Sequence, residues 1–383
     1  MAAPQGRPVE LADIFRVHAP PLEQLGRDRR RVVQDVISCR TAVLGGHLQR
    51  CDHCGREKPF YNSCRNRHCP KCQSLEQARW VEAQASHLLP VPYFHLVFTL
   101  PQALHPFFLA QRRSSYALLF QAALETLHQV CQRRLGIIPG TIAVLHTWSQ
   151  TLTFHPHIHC IVTGGGLSPA RTRWIAARPG FLVPVRILSR VFRGKLLEHF
   201  DRVLTTRSAG INCALGRRLL RQAAARSWVV YSKAPMAGPE QVLRYLGRYT
   251  HRIALGNERL VAFQDGHVTF RYRDRQRGNE RKLLTLAAPE FVRRFLLHVL
   301  PRRFVRVRHY GLLANGCGKR LLARARQLLE APAPSSPDRT VRESWQSLLR
   351  RLTGVDPTRC PYCNVGILQV VAFVRPSQQS RSP

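Results

Sequence analysis

Hydrophobic and polar positions change period several times along the chain, and each change marks an element. Residues 27–43 carry apolar positions at helical spacing in a strongly basic setting that stops at Gly45-Gly46, which predicts a helix. Residues 1–21, interrupted by prolines, read as irregular. A helix is predicted over 74–89, a strand over 94–100 closed by Pro101, and a long amphipathic helix over 106–134 stopped by Gly136. Residues 141–147 and 157–163 alternate and read as a hairpin, the second strand ending at Gly164-Gly165-Gly166. Beyond it come a basic helix over 184–204, a short strand at 228–231, and a helix opened by Pro239 and Glu240. Asp265-Gly266, between strands at 260–263 and 267–272, is a two-residue hairpin signal; a strand at 282–286 and a helix near 289–299 follow. Residues 331–338, rich in Pro, Ala and Ser, read as a linker, followed by one amphipathic helix and a polar tail from Pro376 whose composition predicts disorder. The mixture predicts an α+β protein.

The charge balance narrows the partners. The 383 residues hold 59 Lys plus Arg against 22 Asp plus Glu, a formal net charge of +37. Self-repulsion on that scale points to a polyanion, and the dominance of arginine points to phosphate, which its planar fork grips bidentately. No apolar run approaches the roughly 18 residues of a membrane span, and the N-terminus has no signal core, so a cytoplasmic, reducing location is expected. Twelve cysteines then read as metal ligands and core residues rather than disulfides.

Cys51-x-x-Cys54 and Cys69-x-x-Cys72, separated by 14 residues, have the spacing of a tetrahedral zinc site. His47, His53, Cys64 and His68 crowd around it, so a second zinc or an exchanged ligand stays open. Arg65, Arg67 and Lys71, with Phe60 and Tyr61 nearby, suit contact with DNA. Cys360-x-x-Cys363 is half a site; it could pair across a dimer, take a stray thiol such as Cys39, or bind nothing.

A strand turns alternate side chains to one face, so His157 and His159 point together while Ile158 and Cys160 point into a core. Two imidazoles so placed are half a divalent-metal site. If the hairpin turns near residue 152, His146 sits almost opposite His157 and could be the third ligand; His155, Gln150 and His95 compete with it. A metal that holds a phosphate oxygen and exchanges readily points to Mg²⁺ or Mn²⁺. Downstream, Tyr245 and Tyr249 are one helical turn apart and share a face. A phenol can attack phosphorus and keep the strand as a phosphotyrosine. Arg244, Arg248 and Arg252 repeat at the same interval and could hold the flanking phosphates.

Five stretches together resemble the transposases of the insertion-sequence ninety-one family, within the HUH (His-hydrophobic-His) endonuclease superfamily. They are 62–72 (NSCRNRHCPKC), 94–101 (FHLVFTLP), 155–159 (HPHIH), 245–252 (YLGRYTHR) and 306–313 (RVRHYGLL). The resemblance runs from about residue 10 to 330. It implies a ferredoxin-like antiparallel sheet carrying the metal pair His157 and His159, with Tyr245 and Tyr249 as nucleophiles. It also implies rolling-circle transposition of single-stranded DNA through a 5′-phosphotyrosine. The expected organisation is a basic helix and zinc module over 1–89, a nuclease core over 90–330, and a linker, short helix, CxxC pair and tail over 331–383, with a homodimer possible. A plasmid replication initiator or relaxase would share the chemistry but religate at one origin. A zinc-containing DNA-binding regulator with an inactive core is the non-enzymatic rival, against which the retained His pair and both tyrosines weigh.

Overall fold

The computed structural model describes the chain apart from residues 1–6, 86, 207–209, 237, 250–253, 275–276, 317, 333–342 and 378–383, and apart from the side chains of residues 73, 74, 234, 235, 246, 248 and 249. Most of the linker, most of the polar tail and Arg252 therefore lie outside the described residues. In chain order the elements are α1 (Leu11–His18), α2 (Arg27–Ser38), β1 (Gly46–Cys51), β2 (Glu57–Tyr61), α3 (Gln73–Ala85), β3 (Tyr93–Thr99), α4 (His105–Ala110), α5 (Arg112–Leu135), β4 (Ile138–Trp148), β5 (Phe154–Leu167), β6 (Trp174–Ala176) and α6 (Val185–Thr205). Then come α7 (Cys213–Ala224), β7 (Val230–Met236), α8 (Pro239–Tyr249), β8 (Leu260–Gln264), β9 (His267–Asp274), β10 (Glu280–Ala287), α9 (Ala288–Leu297), β11 (Val307–Gly311), α10 (Gly318–Leu328), α11 (Trp345–Thr353) and β12 (Leu368–Val374).

The architecture is α+β with antiparallel sheets. The main sheet runs β11-β4-β5-β3-β7, with β6 added to β5. Alternation decides its two faces. Phe94, Leu96 and Phe98 of β3, Ala143 and Leu145 of β4, and Ile158, Cys160 and Val162 of β5 turn one way into the larger core beneath α5 and α6, where Phe98 meets Phe192 edge to face at 5.1 Å. The intervening residues turn the other way. Tyr93, Ile142, Val144 and Ile161 pack there with Val242 of α8 and Leu322 of α10, forming a second core. Burial on both faces makes β5 the best-shielded strand of the sheet, and the histidines sit on it.

Three expectations change. Residues 1–21 are not wholly irregular: Leu11, Ile14 and Phe15 fall on one helical face and are fully buried in α1, while Pro8 and Pro20-Pro21 confine the helix to two turns. The helix predicted over 106–134 is broken at Gln111, whose φ of −133° and ψ of 71° separate α4 from α5. The Gly164–Gly166 triplet does not end its strand. β5 runs on through it because a Cβ there would strike backbone on both flanks, at 2.7 Å from Pro92 O, 2.6 Å from Ile175 O and 2.4 Å from Ile138 O.

A separate three-stranded sheet, β12-β1-β2, joins the two ends of the chain. β12 pairs antiparallel with β1, Cys51 facing Leu368. Residues 368–374, for which the sequence predicted no strand, thus return to the cysteine-bearing region.

Candidate active site and metal centres

The imidazoles come together because of register. β4 and β5 pair with His146 opposite His157, so the predicted hairpin arithmetic holds, and His159 follows two residues on along the same face. One ligand atom from each of His146, His157 and His159 lies within 4.8 Å of the others. All three are buried, at 4%, 8% and 5% exposure. His157 Nδ1 is 2.6 Å from the His155 carbonyl, which can only accept, so Nδ1 carries the proton and Nε2 keeps its lone pair. A hydrogen bond of this kind at one ring nitrogen fixes the orientation of an imidazole whose other nitrogen could ligate a metal. Three neutral donors on one side, with open space beyond, fit a divalent ion that keeps coordination positions for a substrate.

Tyr245 reaches this cluster from α8. Val242, one turn earlier, is fully buried against the second core, and that anchor turns Tyr245 at i+3 toward the sheet. Its hydroxyl is 2.8 Å from His159 Nδ1 and 2.9 Å from His95 Nε2, and these two nitrogens are 2.8 Å from each other. His95, on β3 opposite Ile161 and 2% exposed, is therefore the tyrosine's partner. In the sequence it stood only as a rival ligand. Its parity with Val97 and Thr99 across from His159 and His157 was the available signal. Tyr249 is the last residue of α8; its side chain, like that of Arg248, lies outside the described residues.

The cluster opens into a cleft of about 670 Å³. Lys233 and Tyr231 of β7, Trp148, Gln150, and Tyr272 with Arg273 of β9 line it beside the histidines. Cations and aromatic rings at its rim suit phosphates and unstacked bases. None of Tyr231, Lys233, Tyr272 and Arg273 stood out in the sequence, because each is ordinary until β7 and β9 bring it to the cleft.

The cysteines regroup. Cys51 and Cys54 do not share a site with Cys69 and Cys72. Cys69 and Cys72 converge instead with Cys39 and Cys64, and Cys51 and Cys54 with Cys360 and Cys363. The reason is the path of the chain: α2 delivers Cys39 to the loop that bears Cys64, Cys69 and Cys72, with Cys39 Sγ 3.2 Å and Cys64 Sγ 3.5 Å from Cys72 Sγ. Sulfur contacts within the group pull the four thiols apart, Cys39 together with Cys64 and Cys69 holding the Cys72 thiol below its ordinary range while Cys64 and Cys69 are pushed up. Four sulfurs in this group fit tetrahedral zinc.

Two of the predicted DNA contacts, Arg67 and Lys71, are engaged within the protein. Arg67 donates to the carbonyls of Phe304, at 2.6 Å, and Pro301, at 2.9 Å. Lys71 pairs with Glu10. His68, 4% exposed, accepts from Leu300 N–H at Nε2 (3.2 Å) and sits against Asn66 through Nδ1, which makes it a structural joint rather than a ligand. Arg65 and Arg244 are exposed.

Comparison with known proteins places these features in context. A model described as "Transposase zinc-binding domain" matches residues 12–100, and one described as "Putative transposase" matches residues 140–320. The chain is 45% identical over 377 residues to "Putative transposase y4qJ" of Sinorhizobium fredii (strain NBRC 101917 / NGR234), covering 93% of each. It is 28% identical over 359 residues to "Transposase for insertion sequence element IS801" of Pseudomonas savastanoi pv. phaseolicola, covering 89% of this chain and 83% of the relative. No solved structure matches it. Among the described residues no helix is long and apolar enough to cross a membrane.

Proposed function

Because the chain belongs to the insertion-sequence ninety-one (IS91) family of transposases, we propose that it is a metal-dependent tyrosine strand transferase acting on single-stranded DNA from an HUH-type sheet. The observation that carries this reading is the 2.8 Å approach of the Tyr245 hydroxyl to His159, a member of the three-histidine cluster. Nucleophile and metal ligands are thereby within reach of one phosphate.

His146, His157 and His159 would hold Mg²⁺ or Mn²⁺, which when bound polarises the scissile phosphate and offsets its growing charge. His159 faces the tyrosine through Nδ1, which leaves Nε2 for the metal. His95 Nε2 is then placed to accept the phenolic proton. Tyr245 Oη bonds to phosphorus, the P–O3′ bond breaks, and the 3′ oxygen departs as a hydroxyl after taking up a proton. The new 5′ end stays on the enzyme as a phosphotyrosine. Attack by another strand's 3′-hydroxyl reverses the chemistry and joins that end elsewhere, so no external energy is needed. Tyr249, one turn on, would hold a second 5′ end. Arg244 and Arg248, with Arg252 beyond, would grip flanking phosphates, and Arg65 would add a contact from the zinc module.

The test is a labelled single-stranded element end incubated with the protein and Mg²⁺ or Mn²⁺. A denaturation-resistant protein–DNA adduct is expected. Persistence of that adduct in Tyr245→Phe/Tyr249→Phe, or its absence from the wild type, overturns the reading. Integration of the transferred strand at new sites, rather than religation at one, separates it from a replication initiator.

A further inference from the structure

We propose that Cys51, Cys54, Cys360 and Cys363 hold a second structural zinc ion, assembled from the two ends of the chain. The transposase zinc-binding match ends at residue 100 and so includes neither Cys360 nor Cys363. Geometry supplies the first argument. Thiolates at about 2.3 Å from a tetrahedral zinc stand about 3.8 Å from one another. Cys51 Sγ is 3.7 Å from Cys363 Sγ, and Cys54 Sγ is 3.7 Å from Cys360 Sγ.

The second argument is that both halves are built alike. Gly55 N–H donates to Cys51 O at 3.1 Å and Asn364 N–H to Cys360 O at 3.0 Å, each turn closing on a left-handed residue with φ of 67° and 55°. Cys54 N–H points at Cys51 Sγ and Gly366 N–H at Cys363 Sγ, both at 3.4 Å. Amides aimed at sulfur stabilise thiolate rather than thiol. Asp52 locks the halves together, its Oδ1 accepting from Ile367 N–H at 2.7 Å. Gly366 is required: a Cβ there would lie 2.4 Å from Cys51 Sγ.

The third argument is what the sheet lacks. Leu368 is the single buried residue of β12, and Phe373 is 85% exposed. The buried cluster under this sheet consists of Cys51, Cys360 and Leu368. Three short strands without a hydrophobic core are not stable by burial, and a metal is the usual remedy in so small a module. The bound zinc closes a belt. It fixes the segment that carries α11, whose Arg351 reaches Glu82 of α3 at 2.7 Å. α3 in turn packs against α8, the helix of Tyr245.

The proposal is independent of the strand-transfer chemistry, and so is its test. The full chain is reconstituted with Co²⁺, and sulfur-to-cobalt charge-transfer absorption is measured per protein; metal on the histidine cluster adds nothing to that band. The wild type is expected to show two thiolate-held metals. Cys360→Ser/Cys363→Ser should show one, a halved band, with faster amide exchange over residues 368–374. One thiolate-held metal in the wild type, an unchanged band in the double variant, or iron rather than zinc in the protein as purified overturns the proposal. The wild-type count decides even if the double variant does not fold.

Discussion

Arg67 separates two readings of one cation. Beside a cysteine knuckle it suggests a phosphate contact; in the fold it bridges the zinc module to the carbonyls of Phe304 and Pro301. Burial holds its pKa below the ordinary guanidinium value, which agrees with a partly desolvated clamp. Hydrogen bonds from a charged donor contribute about 1.5–3 kcal/mol each. The Pro301 carbonyl also accepts from Phe304 N–H at 3.0 Å and is not orphaned when Arg67 is removed. The lower end of the range is therefore appropriate, about 3 kcal/mol for both bonds. Unfolding entropy of about 2.1 cal/mol/K per residue over 383 residues is about 0.8 kcal/mol/K. Arg67→Ala should then lower the melting temperature by about 4 °C if the chain unfolds as one unit. Arg67→Lys, able to reach one carbonyl, should fall between. Calorimetry measures the shift, and a salt titration of single-stranded DNA binding measures the other reading. Each lost phosphate contact flattens the log–log slope by about 0.7. An unmoved melting point with a slope flattened by that amount would refute the clamp and restore Arg67 to the DNA interface.

Three further outcomes are expected. His157→Ala should abolish adduct formation while leaving salt-sensitive DNA binding within about twofold, because arginines supply the affinity; electrophoretic mobility at two salt concentrations checks it, and equal loss of both would make the residue structural. Burial pushes His298 and His105 down to about 4, so the unfolded chain binds more protons below about pH 6.5 and stability falls as pH drops from there toward 4, by up to about 1.4 kcal/mol per pH unit for each group; denaturant titrations across that window should show the slope, and His298→Gln should reduce it. Cys39→Ser should cost one thiolate-held metal, whereas Cys131→Ser, a buried thiol outside both clusters, should cost none.

Local rules carried far along this chain because they are rules of direction. A period of two placed His157 and His159 on one face, and a turn centred near 152 put His146 across from His157. These follow from backbone geometry between near neighbours, and they are legible in the sequence. Pairing between distant segments was not. One CxxC knuckle is locally equivalent to another, so nothing between residues 51 and 72 says that Cys51 and Cys54 turn toward Cys360 and Cys363, or that Cys39 arrives from α2. His95 becomes the partner of Tyr245 only when β3 lies beside β5 and α8 crosses the sheet. A cation's identity likewise carries no information about its partner: Arg67 and Lys71 bond to protein, while Lys233 and Arg273 reach the cleft. The sequence by itself determined which chemistry was available and which faces carried it. The tertiary structure alone decided which groups meet, because the free energy of those meetings is realised only when the whole sheet and both cores have closed around them.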